Sequence, residues 1–243
     1  MKRFPELDLL RTLAVLGMIL YHAAYDLASF YGYPLDMMHG GWLILERAVA
    51  ITFLALVGIS FAISYNRTPK EKVWRKFLKR GLIVLVCGYL VSITTYVVDP
   101  ATYVRFGVLH LIGVSILLLP FFVRFKRWNL LIAVAIIAAG QWSSTTILDT
   151  SWLLPLGFMP HFFETVDYFP LLPWFSVILI GLVIGQNFYV QHVSWRTRLP
   201  QRKARSYKLE AVLTLPSRFA LPIYLLHQPI IMGIFIIIFG RGH

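Results

Sequence analysis

Four ionisable residues of one apolar stretch, LDLLRTLAVLGMILYHAAYDL, fall on a single helical stripe. At 100° per residue, Asp8, Arg11, His22 and Asp26 line up through Val15, Met18 and Ile19. Arg11 and His22 are almost three whole turns apart, so their side chains point the same way, separated by roughly 16 Å along the axis. Asp26 lies one turn beyond His22, within reach of its ring, where a carboxylate would fix the tautomer. A second group follows. His39 stands just before the second apolar run, and Glu46 and Arg47 lie just inside it. Arg105 and His110 open the fourth run in RFGVLHLIG, and His227 with Gln228 precedes Pro229 in the last. A histidine titrates near neutral pH, so this set suits general acid–base chemistry. A metal site is not expected, because no HxxxH or cysteine pair supports one. Each residue also has a plainer reading. Asp8–Arg11 reads as a helix-end ion pair, His22–Asp26 as a buried structural pair, and any one histidine as a hydrogen-bonded core residue.

These residues must be positioned by helices that cross a membrane. Seven apolar runs of about 20 residues, each enough for a hydrocarbon core of roughly 30 Å, occupy 8–30, 41–65, 80–98, 105–123, 128–147, 171–190 and 218–239. Cations crowd every other connection: Arg67, Lys70, Lys72, Arg75, Lys76 and Lys79; Arg124, Lys126 and Arg127; Arg196, Arg198, Arg202, Lys203, Arg205 and Lys208. Connections 31–40, 99–104 and 148–170 have no Lys or Arg. The positive-inside rule then predicts a cytoplasmic N-terminus and an external C-terminus. The expected fold is an all-α polytopic membrane helix bundle of about seven transmembrane helices, a single domain over 1–243.

Composition agrees, with 58% hydrophobic and only 14% charged residues. The net charge of +12 is accounted for by topology and anionic lipid headgroups, so nucleic acid is not an expected partner. The lone Cys87 excludes an internal disulfide. Lys2 and Arg3 precede a first run interrupted by Asp8 and Arg11, which reads as an uncut membrane helix. The Trp-, Phe- and Pro-rich 148–170 segment is expected at the outer interface, and 191–217 as a basic cytoplasmic loop, with room for a short surface helix. Gly181 and Gly185 form a GxxxG, a mark of close helix packing.

The ordered set LDLLRTLAVLGMILYHAAYDL, MHGGW, LALVGISFAIS, FGVLHLIGV, LPWFSVILIGLVIG and IYLLHQP resembles small bacterial members of the heparan-α-glucosaminide N-acetyltransferase catalytic-domain family. The resemblance is continuous over 4–65 and reaches His227 in short islands. It implies a multi-pass protein of the bacterial inner membrane. Such a protein moves an acetyl group from cytoplasmic acetyl-CoA to a sugar or glycan-like acceptor on the far side. It puts His39 in the catalytic place and His22, eleven residues after Arg11, where the lysosomal member has an assisting asparagine. That replacement is a departure, as is Arg11-Thr12 in place of Arg-Gly. Arg11, with Asp8 and the basic loops, would receive the donor's phosphates. Asp26 would orient His22, and His110, Arg105, Arg47, Glu46 and His227 would line the acceptor side. A histidine would act as base or as an acyl relay. Two other classes stay open: a small-solute transporter with a His/Asp proton relay, and a noncatalytic membrane subunit. Oligomeric state is not readable from the chain.

Overall fold

The computed structural model describes residues 4–148, 150–190 and 215–240. Lys2, Arg3, the cations of 196–208 and residues 191–214 of the basic loop expected over 191–217 lie outside them. Eight α-helices are described: α1 Pro5–Tyr31, α2 Gly40–Asn66, α3 Lys70–Val98, α4 Val108–Phe122, α5 Asn129–Thr145, α6 Leu171–Ile184, α7 Leu215–Arg218 and α8 Ala220–Phe239. A 3-10 segment, Val123–Trp128, joins α4 to α5, and α6 continues as a π-helical turn over Gly185–Val190. The fold is an all-α polytopic membrane bundle. Its surface is inverted relative to a soluble protein. Leu13, Leu16, Leu20, Val86, Ile93 and Val134 face outward, while Asp26, Asn129, Ser115 and His110 are inside. Apolar side chains turned outward suit acyl chains, and polar groups are kept where other helices can satisfy them.

The chain divides into two compact units, Met1–Phe53 with Pro200–His243, and Leu54–Leu199. In the first, α1 begins with Pro5 at its first position and the acids Glu6 and Asp8 in its first turn, which suits the helix N-terminus. It ends at Gly32, whose φ of 67° returns its N–H to the Leu27 carbonyl. The predicted stripe is indeed its inner face, with Val15, Met18 and Asp26 buried. At Gly17 the first helix lies against Val49 and Leu45 of α2, and an added Cβ would come 2.7 Å from Val49 Cγ2. α1 and α8 run parallel. His22 meets His227, Asp26 meets Gln228, and Tyr31 meets Phe235, Phe239 and the Gly240 carbonyl.

In the second unit, Gly58, Gly181 and Gly185 let α2 and α6 touch backbone to backbone. A Cβ on Gly58 would collide with the Ile178 carbonyl, and one on Gly181 with the Ala55 carbonyl. The GxxxG of α6 is therefore a packing surface, as the sequence suggested. These two helices are also parallel: Ala55 faces Gly181, while Ile59 and Ala62 face Gly185.

Six stretches among the described residues are long and apolar enough to span, and one of them, Val108–Thr145, holds both α4 and α5. Its 38 residues would measure roughly 57 Å as one helix, far more than the hydrocarbon core. The backbone breaks at Lys126, where φ is 45° and ψ is −123°. If α4 and α5 made one crossing between them, alternation would leave α2 and α6 antiparallel. Their parallel packing is met when the chain reverses at the break, which gives seven alternating passes.

Candidate functional site

The tautomers of His39, His110 and His227 follow from their hydrogen-bond partners. The turn before α2 is built by Asp36. Its Oδ1 accepts from the backbone N–H of Met38 and of His39, both at 3.1 Å. The same carboxylate lies 3.1 Å through either oxygen from His39 Nδ1. Hydrogen bonding from His39, first among its causes, holds the Asp36 carboxyl below its usual range. An ionised carboxylate only accepts, so Nδ1 must carry a proton, and in the neutral ring Nε2 is left as the basic nitrogen. Gly40 follows with φ 65°, a conformation that costs an L side chain roughly 1–2 kcal/mol. It turns the chain into α2 directly behind the ring. The His39 side chain is 81% exposed.

On α1 and α8, the rings of His22 and His227 meet edge to face with centroids 4.8 Å apart. His227 Nδ1 lies 2.7 Å from the Tyr224 carbonyl and must donate to it, leaving the buried Nε2 as a lone pair with no partner among the described residues. Among the described residues, Asp26 takes both its hydrogen bonds from Gln228 Nε2, at 2.8 and 2.9 Å, rather than from His22. The physical reason is reach. α8 runs alongside and presents a two-proton amide that can bridge both carboxylate oxygens, while the His22 ring is turned onto His227. Asp26 therefore orients Gln228, and His22 is positioned by a second histidine.

The remaining predicted residues separate into local pairs. Arg11 Nη1 lies 3.1 Å from Asp8 Oδ1 near the start of α1, as expected. Arg47 Nε lies 3.3 Å from Glu46 Oε2. His110 and Arg105 belong to the other unit. α4 starts at Val108, so Arg105 lies in the preceding connection rather than in the helix. His110 Nδ1 accepts the Gly107 N–H at 3.2 Å, so its proton is on Nε2, which is buried with no partner among the described residues. Its ring fills the space over Gly88 and beside Tyr89 and Phe106. That is the work of a helix-start clamp. Among the described residues, no group of three or more His, Cys, Asp or Glu is placed to hold a metal ion.

The sequence reading passed over Asp36. Its signal was present: an Asp three residues before His39, in a short connection between two helices, is an Asx-turn position.

A family model described as heparan-alpha-glucosaminide N-acetyltransferase, catalytic, matches residues 3–229. The chain belongs to this family. Heparan-α-glucosaminide N-acetyltransferase catalytic domains are membrane acetyltransferases, so acetyl transfer is the chemistry to test against the site. The match runs from the first residues of α1 to Pro229 of α8 and takes in His39, His22 and His227. No curated protein and no solved structure matches the chain.

Proposed function

We propose that the protein transfers an acetyl group from cytoplasmic acetyl-CoA to an amine or hydroxyl of a sugar or glycan-like acceptor at the extracytoplasmic face of the bacterial inner membrane. The observation that carries this is the Asp36–His39 pair, whose histidine the resemblance puts in the catalytic place. In the step, His39 Nε2 takes the proton from the acceptor N–H or O–H. The freed nitrogen or oxygen forms a bond to the acetyl carbon, the carbon–sulfur bond breaks, and the CoA thiolate leaves. Asp36 holds the ring in the required tautomer and stabilises the imidazolium that forms. Arg11 is at the opposite end of α1, on the side that the basic loops mark as cytoplasmic. It is partly exposed beside Asp8 and would share its guanidinium with a donor phosphate.

The test is acetyl transfer by the purified protein from acetyl-CoA to free hexosamines. His39→Ala should lower the rate by about 10²–10⁴-fold with donor affinity nearly unchanged, and Arg11→Gln should weaken donor affinity, more at low salt than at high. A His39→Ala protein at full rate would remove the assignment. One observation favours a second reading, a solute transporter with a proton relay: Asp26 is fully buried and its hydrogen bonds come from an amide. Solute uptake that survives His39→Ala and is lost in Asp26→Asn, with no acetyl transfer by either protein, would establish that reading instead.

A further inference from the structure

Arg105 lies at the edge of the second unit. Its guanidinium carbon is 5.2 Å from the ring centroid of Tyr103 and 5.2 Å from that of Phe163. Among the described residues its Nε is buried without a hydrogen-bond partner, and it forms no ion pair with a carboxylate. Glu164, beside Phe163 in sequence, is exposed and forms no ion pair with Arg105, and two other acids of these connections serve the backbone and a hydroxyl. Asp167 caps the N-terminus of α4 through the Val108 N–H, and Asp99 accepts from Thr102 and from the Ala101 N–H. Stacking against aromatic faces leaves a guanidinium's in-plane N–H edge for a planar or tetrahedral anion.

The backbone next to this cation is strained. Phe162 has φ 56°, a left-handed conformation that a bulky residue adopts only when the surroundings impose it. Its effect is to divide two adjacent phenylalanines. Phe163 turns in, onto Arg105 and Tyr168, and Phe162 is left 102% exposed. A cation with no carboxylate partner among the described residues, near a fully exposed aromatic in a membrane protein, matches the two parts of a phospholipid, headgroup phosphate and acyl chain.

We propose that Arg105, clamped by Tyr103 and Phe163, binds the phosphodiester of a membrane phospholipid whose acyl chain lies against Phe162. This is independent of the catalytic assignment to His39. It is tested by native mass spectrometry of the intact protein released from phosphatidylglycerol nanodiscs. Wild-type protein should retain phospholipid. Arg105→Gln should retain roughly tenfold less, the worth of one charge-assisted contact, and Arg105→Lys, which keeps the charge without the fork, should fall between. Phe162→Ala removes only an outward side chain, so it will fold, and it should also reduce retention. Two soluble probes separate the sources. Short-chain phosphatidylglycerol should raise the melting temperature of wild-type protein and not of Arg105→Gln, whereas glycerol phosphate and inorganic phosphate should leave both unchanged. Equal retention by wild type, Arg105→Gln and Phe162→Ala would overturn the proposal. So would a stabilisation by inorganic phosphate equal to that by the lipid, which would make this a free-anion site.

Discussion

The proton on Nδ1 of His39 is where the catalytic account begins. Asp36 fixes it from a turn that the same carboxylate also caps, so backbone and side chain are set by one group. Asp36→Asn should slow acetyl transfer, though less than His39→Ala. An amide can still reach the ring, but it can donate as well as accept, and it no longer enforces the tautomer. A kcat loss with unchanged acetyl-CoA affinity is the expected result. The residue scale also carries a pH prediction. Burial pushes the Tyr168 phenol up to about 12, and its hydroxyl donates to the Leu154 carbonyl at 2.8 Å. A raised folded-state value contributes stability that is complete below the unfolded value of about 10 and lost as pH rises through about 12. The melting-temperature gap between wild type and Tyr168→Phe should reflect about 1 kcal/mol up to roughly pH 10 and close above it. The role given to His39 came from the resemblance, while the sequence made the inner stripe of α1 legible. It misassigned the partner of Asp26, because no pattern within one helix shows which neighbour will run beside it.

Helix contacts explain both what was readable and what was not. Apolar length and loop charge located the seven long helices, because the bilayer imposes those constraints residue by residue, but α3 begins at Lys70 rather than at 80, so Lys70, Lys72, Arg75, Lys76 and Lys79 ride on its first turns instead of a connection. The 105–123 run was placed three residues early, since Arg105-Phe106-Gly107 is spent on the connection that the 146–170 segment holds. The Phe169 N–H donates to the Phe106 carbonyl, and the Val166 N–H to the Thr102 carbonyl. Helix pairing depends on where glycine permits backbone contact. Gly181→Leu should force α2 and α6 apart, at a cost of roughly 1–3 kcal/mol or more. Thermal unfolding in detergent would read it. Gly233→Leu on α8 is the control, because open space surrounds that position, and it should leave the melting temperature unchanged.

At the scale of the molecule, parallel α2 and α6 demand that the chain reverse near Lys126. Cysteines introduced at exposed positions of 151–168 should label from the outside. Those in 67–79 and beside Lys126 should label only after the membrane is opened. Labelling at 126 from the same side as 151–168 would contradict the seven-pass arrangement. The measurement that bears most directly on the central claim uses sealed vesicles holding the protein in this orientation, with isotopically labelled acetyl-CoA on the cytoplasmic side and hexosamine on the other. Wild-type protein should deliver labelled N- or O-acetyl product to the hexosamine side, and His39→Ala should lose about 10²–10⁴-fold of that rate while binding the donor. Label crossing at the same rate in His39→Ala and wild type would contradict the account.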